Sequence, residues 1–425
     1  MRLGGRMAAA IEVLADIEAR KRPVADALKD WGLAHRFAGS GDRSAIGNLV
    51  YDALRMRLSH AYLMQDDGEV ALVYAVLLRQ WGFTPDSLAA ELADDRFAPA
   101  APDLSGLATR NLAEAEPHVQ GDVPDWLVPS FQAAFGDEWL AEARAMAERP
   151  TLDLRANTLK ASRDKVVKAL ERAGATPTRI ARHGIRIPAG DGAARLPNVT
   201  AELSFQKGWF EVQDEGSQIV ADLVLPQEGQ QVLDYCAGGG GKTLALAAAM
   251  NNKGQVHAYD ADRKRLAPII ERLRRAGTRN VQVHDDVRDL KALEGRLDTV
   301  LVDAPCTGTG TWRRRPDTKW KLTPRNIEER LEQQRDALTS AAAYVRPGGT
   351  LVYVTCSVLP EENDRQIARF TAEHPEFSAI ASLPAWDNLF GAAQKPHSAD
   401  GTGLTLTPAR TGTDGFFFCR LQRRA

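Results

Sequence analysis

The second half of the chain predicts an open, doubly wound α/β sheet, and three observations predict it. Apolar runs of strand length recur from Gln230 onward: "QVLDY" (231–235), "QVHAYD" (255–260), "VQVH" (281–284), "DTVLVD" (298–303), "TLVYVT" (350–355) and "GFFFCRL" (415–421). Helical runs such as "KTLALAAAM" and "RKRLAPIIERLRRAG" separate the early ones, the alternation that builds βαβ units and parallel strands. Several runs stop at an acid or a cysteine, and in such sheets the carboxyl ends of the strands border the ligand crevice.

The preceding segments read differently. Ile11, Leu14 and Ile17 recur at helical spacing, and Val24, Leu28 and Trp31 extend that face. Ser40 or Asp42 is placed to cap a helix carrying Ile46, Leu49, Val50, Ala53 and Leu54. Pro85 opens another over residues 84–92. The proline-containing stretch Phe97–Gly106 reads as a linker. From Val123 a short helical segment leads to a strand in "TLDLRAN", a helix over Ser162–Gly174 that ends at its glycine, and a strand-then-helix pair within Phe205–Val224. The expected division is a helical domain over 1–120, a small α+β domain over 121–225 and the α/β sheet over 226–425; 425 residues exceed what one core holds.

Composition narrows the function classes. Hydrophobic residues make up 44% and charged residues 26%, the balance of a soluble globular protein. No run of 18 apolar residues predicts a membrane span, and Glu12, Asp16 and Glu18 interrupt the first apolar stretch, unlike a secretory signal. Cysteines 236, 306, 356 and 419 never form C-x-x-C, so neither a zinc site nor a disulfide framework is expected, and a reducing cytoplasm is. The net charge of −2 is uneven: residues 1–150 hold 15 basic against 23 acidic side chains, and the remainder carries +6. Basic clusters at Arg313–Arg315 and Arg263–Arg279 read either as solvated faces or as the footprint of a nucleic acid.

The turn "DYCAGGGGKT" (Asp234–Thr243) leaves the first strand of the sheet and opens a helix. Glycines there let a ligand approach backbone N–H groups. A phosphate-binding G-x-x-x-x-G-K-[ST] needs a glycine where Cys236 stands, although Gly241, Lys242 and Thr243 fit; G-x-G-x-x-G fails at Thr243. A tight turn without a ligand is the plain structural alternative. Asp260, at the tip of the next strand, is placed to accept hydrogen bonds from ribose hydroxyls or to cap the following helix. Asp286, after the third strand, is equally two-sided. Together these features suit an adenosine-containing cofactor bound otherwise than through phosphates, and S-adenosylmethionine fits that description.

Cys306, in Asp303-Ala-Pro-Cys, and Cys356, in Thr-Cys-Ser, follow two adjacent strand ends beside that turn. A lone cysteine there is most simply a small buried hydrophobe; two at ligand-facing positions point to chemistry. Carbon 5 of cytosine is a poor nucleophile until a thiolate adds at carbon 6 and pushes electron density onto it. Transfer of a methyl group, loss of the carbon 5 proton and expulsion of the thiolate then complete the reaction. Asp303 is placed to hold the amino edge of cytosine and to disfavour the carbonyl of uracil. The base must be single-stranded or flipped from its stack. The residues alone do not say which sulfur attacks.

The blocks "RANTLK", "VQDEGSQIVADLV", "DYCAGGGGKT", "YDADRKRL", "VLVDAPCTGTGTWRRRPDTKW", "RPGGTLVYVTCSVLPEEN" and "DGFFFCRL" resemble, in order, those of the RsmB–Nop–Sun family of RNA cytosine-C5 methyltransferases. The resemblance implies a Rossmann-like S-adenosylmethionine-dependent methyltransferase domain preceded by a small α+β RNA-binding domain. It implies that the cofactor lies on Cys236, Ala237, Gly238, Gly239, Gly240, Gly241 and Lys242, with Asp260, Asp286 (Asp285 is adjacent) and Asp303. It further implies that Cys356 attacks carbon 6 and that Cys306 assists product release. The first hundred residues resemble the NusB-like helical domain of bacterial RsmB enzymes, chiefly through "DRSAIGNLVYDALR", which favours ribosomal RNA over transfer RNA as partner. No metal, no membrane and a monomer are expected. One departure stands out: the family has C-A-A-P-G-G-K where this chain has Cys236-Ala-Gly-Gly-Gly-Gly-Lys242, which removes a proline restraint. A P-loop nucleotide hydrolase and a non-enzymatic RNA-binding assembly factor are the competing readings.

Overall fold

The apolar runs resolve into two sheets in the computed structural model, which describes all 425 residues. β1 (Leu152–Ala156), β2 (Thr176–Pro177), β3 (Gly184–Ile187) and β4 (Phe210–Val212) form a small antiparallel sheet in the order β2-β3-β1-β4. β5 (Gln231–Asp234), β6 (Gln255–Tyr259), β7 (Val281–His284), β8 (Leu297–Asp303), β9 (Val345–Thr355), β10 (Phe377–Ile380), β11 (Leu404–Leu406) and β12 (Phe416–Arg423) form the large one. Its order is β10-β12-β9-β8-β5-β6-β7, with β11 paired to β12. The strands from β9 to β7 along that path run parallel, and β12 runs antiparallel to β9.

The alternation of side chains explains why the central strands read as unbroken apolar runs. In β8, Val300 and Val302 enter one core while Leu301 enters the other; in β9, Leu351 and Tyr353 take the first side and Val352 and Val354 the second. The fourth cysteine, Cys419 on β12, is part of the first of these cores, and burial pushes its thiol up to about 12. The order reverses between β5 and β8, since β5 is followed by β6 on one side and flanked by β8 on the other. That switch point opens a crevice at the carboxyl ends of the strands.

The chain divides into two compact units. The first comprises residues 1–150, 189–197 and 311–322; the second comprises 151–188, 198–310 and 323–425. By contacts the helical unit runs to Pro150, and the α+β sheet and the large sheet pack within one compact unit. The stretch Phe97–Gly106 is not a linker between units: Tyr74 donates to the carbonyl of Pro99 (2.9 Å), and Leu104 packs on the helical core.

Six helices begin that unit: α1 (Leu3–Arg20), α2 (Val24–Ala34), α3 (Ser40–Arg55), α4 (Arg57–Met64), α5 (Glu69–Arg79) and α6 (Pro85–Leu92). α5 buries an unbroken run from Ala71 to Leu77, as expected of a helix enclosed by others. α3 starts after Gly39, so Ser40 and Asp42 lie in its first turn and neither is its N-cap; Asp42 pairs instead with the Met1 amine and Arg6. Residues 311–322 join this unit through buried contacts: Lys319 donates to the Arg55 carbonyl (3.0 Å), Trp320 to that of Leu54 (2.7 Å), and Trp312 stacks on Phe131.

Candidate active site

The second unit gathers the site residues at the carboxyl edge of its large sheet. β5 ends at Asp234, fully buried, with Oδ2 accepting from Thr243 Oγ1 (2.7 Å) and Oδ1 without a partner. Burial, followed by the nearby carboxylates of Asp303 and Asp260, pushes its carboxyl up to about 7. The glycine turn then bends back. Gly240 has φ +82°, and a Cβ there would lie 2.4 Å from Ile269, so only glycine fits. The Gly238 N–H donates to Asp260 Oδ2 (2.8 Å). Arg272 donates to the Gly239 carbonyl and Arg155 to that of Gly241 (2.9 Å). Glu211 on β4 in turn accepts from Arg272 (3.0 and 3.1 Å) and Arg275 (2.6 and 2.8 Å).

Of the two readings of Asp260, the helix cap falls to its neighbour: Asp262 accepts from the Lys264 N–H (2.9 Å), while Asp260 binds the glycine turn and the Asp262 N–H (2.8 Å). Asp286 caps the turn Val287–Leu293, and its side-chain contacts are Arg288 and Arg263. The Arg288 guanidinium holds its carboxyl well below the usual carboxylate range. Asp285 is exposed and accepts from Arg263 through its carbonyl (2.9 Å). Cys236 is half-buried, and burial pushes its thiol up.

The remaining predicted residues lie after β8 and β9. Asp303 Oδ2 accepts from Lys242 Nζ at 2.6 Å, which joins the strand tip to the glycine turn. Cys306 and Cys356, 50 positions apart in the chain, place their sulfurs 3.3 Å apart, and both residues are half-buried. Contact with Cys356 and burial raise the Cys306 thiol well above its ordinary range. The loops that carry them interlock. The Gly310 N–H donates to the Cys356 carbonyl (3.0 Å), Thr309 and Ser357 share a hydrogen bond (2.9 Å), and the Val358 N–H donates to Thr309 Oγ1 (3.0 Å).

Three buried residues around this pair escaped the sequence reading: Glu362, Asn363 and Gln334. Glu362 accepts from the Thr307 N–H and from Gln334, and Asn363 holds Thr355 and Ser357. The "PEEN" letters after the second cysteine were the available signal, but an acid and an amide at a strand end read as surface polar groups until their burial is seen.

The donor set tests the expected cofactor. Three carboxylates, Asp234, Asp260 and Asp303, surround the glycine turn, and Lys242 is already paired with one of them. Lys242, the cation a phosphate would use, is taken by Asp303, whereas a sulfonium cation and ribose hydroxyls meet carboxylate acceptors. The four-glycine cradle leaves the backbone open to close approach.

A mostly parallel sheet with a reversed strand at β12, and an acid-lined glycine turn at its switch point, define a Rossmann-like fold of the methyltransferase class. The chain matches the family described as 16S rRNA methyltransferase RsmB/F over residues 221–422, and a ferredoxin-like domain of RsmF/B-like methyltransferases over residues 123–190. Ribosomal RNA small subunit methyltransferase B of Cronobacter sakazakii is 36% identical over 305 residues, covering 71% of this chain and 66% of that protein. A Synechocystis protein described as "Probable ribosomal RNA small subunit methyltransferase B" is 34% identical over 313 residues, covering 72% and 67%. The chain belongs to the RsmB/F methyltransferase family, and the aligned region spans about two thirds of the length of these relatives. Among solved structures, PH0851 superposes over 100% of this chain and 99% of its own with a TM-score of 0.76 at 25% identity. NSun6 from Pyrococcus horikoshii, solved with SFG, shares the fold over 71% of this chain and 98% of its own, with a TM-score of 0.61 at 23% identity. No helix is long and apolar enough to cross a membrane.

Proposed function

We propose that this chain is an S-adenosylmethionine-dependent RNA (cytosine-5)-methyltransferase acting on small-subunit ribosomal RNA. The observation that carries the reading is the 3.3 Å contact between Cys306 and Cys356 beside the acid-lined glycine turn. The printed descriptions of the relatives favour ribosomal over transfer RNA. Four free cysteines suit a reducing cytoplasm, and the reaction needs one copy of the chain and no metal ion.

In this reading Cys236–Lys242, Asp260 and Asp303 hold the cofactor, with Asp286 at the tip of β7. Bound there, S-adenosylmethionine supplies an electrophilic methyl group. Asp303, fixed through one oxygen by Lys242, accepts from the amino edge of cytosine. The Cys356 thiolate forms a bond to carbon 6, and the ring electrons move to carbon 5, which then carries the methyl group. Loss of the carbon 5 proton to base returns those electrons to the ring, the sulfur–carbon 6 bond breaks, and its pair goes back to Cys356. Cys306, whose proton is held by contact with Cys356 and by burial, donates a hydrogen bond to the departing thiolate across the 3.3 Å contact. That donation is a physical reason for one thiol to assist the release of the other.

The reading is tested with two substitutions and one comparison of cells. Cys356→Ala is expected to abolish methylation, and Cys306→Ala to accumulate a protein–RNA adduct that survives denaturation. Bisulfite sequencing of RNA from cells with and without the gene is expected to locate the lost 5-methylcytosine in small-subunit ribosomal RNA; loss confined to transfer RNA would reassign the substrate. Full turnover by Cys356→Ala would refute the mechanism, and tight magnesium-dependent ATP binding without binding of the methyl donor would replace it by the hydrolase reading.

A further inference from the structure

We propose that Glu362 and Asn363 form a two-armed clamp that positions the two sulfurs separately, Glu362 acting on Cys306 and Asn363 on Cys356; the inference rests on the two-thiol reading above. The arms are built alike. Glu362 Oε1 accepts from the Thr307 N–H (2.9 Å) and Oε2 from the Thr307 hydroxyl. Gln334 Nε2 donates both to Glu362 Oε1 (2.9 Å) and to the Pro305 carbonyl (3.1 Å). Both chain neighbours of Cys306 are therefore tied to one carboxylate, directly or through one amide. On the other arm, Asn363 Oδ1 accepts from the Thr355 hydroxyl (2.7 Å) and Nδ2 donates to the Ser357 carbonyl (3.0 Å). Both chain neighbours of Cys356 are tied to one side chain.

The clamp is buried and braced from behind. Glu362 is 0% exposed and Asn363 1%. Tyr353 donates to the Glu362 carbonyl (2.7 Å), and Gln366 donates to Gln334 (3.0 Å). A buried carboxylate persists only where hydrogen bonds replace its water, so the loop around Cys306 and Glu362 hold each other in place. Because consecutive residues hold two loops whose cysteines lie 50 positions apart, one peptide unit fixes the distance between the sulfurs. The carboxylate contributes a second effect, since its negative charge helps keep the proton on Cys306. Glu362 and Asn363 touch no reacting atom in this scheme and are positioning residues.

The two arms act at different steps, and this separates the clamp from a merely structural role. Glu362→Gln keeps the volume, removes the charge and exchanges one acceptor for a donor. It is expected to form the covalent adduct at a rate within about twofold of wild type and to release it at least about tenfold more slowly, the scale of rate loss that small misplacements produce. Asn363→Asp keeps the acceptor for Thr355 and loses the donor to Ser357. It is expected to slow adduct formation by about tenfold or more without accumulation. Thr307→Val removes only the hydroxyl arm of the Glu362 contact and covers the case in which Glu362→Gln fails to fold; it is expected to share the slow release.

The measurement is a single turnover of the full chain with in vitro transcribed small-subunit ribosomal RNA and the methyl donor, read as adduct on denaturing gels against time, with a melting curve for each variant. Release at the wild-type rate by Glu362→Gln, or by Thr307→Val in its place, overturns the clamp. So does one common defect in both arms that tracks the fall in melting temperature. Failure of the underlying reading looks different: Cys306→Ala then methylates without any adduct, which removes both proposals.

Discussion

Acidification from pH 7 to pH 4.5 is expected to weaken the β6–β7 edge of the large sheet through two histidines that have no part in the chemistry. His257 and His284 are each 5% exposed, and His257 Nδ1 lies 3.0 Å from His284 Nε2. One ring must donate and the other accept, so the pair is compatible with neutral imidazoles and not with two facing N–H groups. Burial, then His284, lowers His257 to about 4, and burial lowers His284 as well. An unfolded histidine titrates near 6.5. The native pKa is thus depressed, the unfolded chain binds the proton first, and the stability present above pH 6.5 is lost as pH falls towards 4. At about 1.36 kcal/mol per pH unit, the loss through His257 alone reaches about 2.5 kcal/mol by pH 4.5. With a urea slope of about 3 kcal/mol per molar, this is a midpoint shift of about 0.8 M. The variant His257→Gln is neutral at both values and should lack that share of the shift. The assay is urea unfolding followed by far-ultraviolet circular dichroism at pH 7 and 4.5. If the separation between wild type and variant stays within about 0.2 M at the two pH values, the buried neutral pair is not what makes the sheet acid-sensitive.

The other predictions concern the glycine turn and the fourth cysteine. Arg272→Met removes the guanidinium that holds the Gly239 carbonyl and should raise the dissociation constant of S-adenosylmethionine about tenfold, about 1.4 kcal/mol. Since the Gly239 N–H donates to nothing within the protein, Gly239→Pro in the Arg272→Met background should recover part of the loss by stiffening the turn; calorimetry in which Arg272→Met binds like wild type would dismiss the idea. Cys419→Ser places a hydroxyl in the apolar core behind β12 and should cost about 1–3 kcal/mol in unfolding experiments while leaving turnover unchanged. Lost turnover at unchanged stability would mean that Cys419 is more than packing.

What the sequence made legible follows from how each feature is encoded. Val300–Val302 of β8, Leu351–Val354 of β9 and Phe416–Cys419 of β12 announce themselves because both faces are buried and the run is unbroken, whereas the edge strand β7 reads only by alternation, with Gln282 exposed between two valines. β10 and β11 do not: they have four and three residues, and their strand character comes from pairing with β12. The cap of the helix after β6 was ambiguous because "DAD" offers Asp260 and Asp262 two positions apart, and only hydrogen bonds assign them. Residues 189–197 and 311–322 belong to the helical unit through long-range contacts that no local pattern encodes. Cys306 and Cys356 were legible as strand-end thiols, whereas their 3.3 Å approach and the buried side chains behind them depend on loops joined across 50 positions.

The glycine turn carries the general lesson, because its letters fit two ligands and its surroundings fit one. Gly241-Lys242-Thr243 would suit a phosphate if the lysine were free and the neighbouring strand tips neutral. Here Asp303 takes Lys242 at 2.6 Å, Asp260 accepts from the turn itself, and Asp234 lies buried beneath it. At an effective dielectric of about 20, a unit negative charge about 6 Å from a carboxylate is repelled by about 3 kcal/mol, and a unit positive charge is attracted by as much. Lys242, however, offsets Asp303 and Arg265 lies 3.7 Å from Asp260, so the discrimination comes chiefly from Lys242 being unavailable to a phosphate and from carboxylate oxygens that can accept but not donate. Arg272 and Arg155 hold two carbonyls of the turn, so its order comes from side chains around it as well as from the backbone of residues 238 and 239.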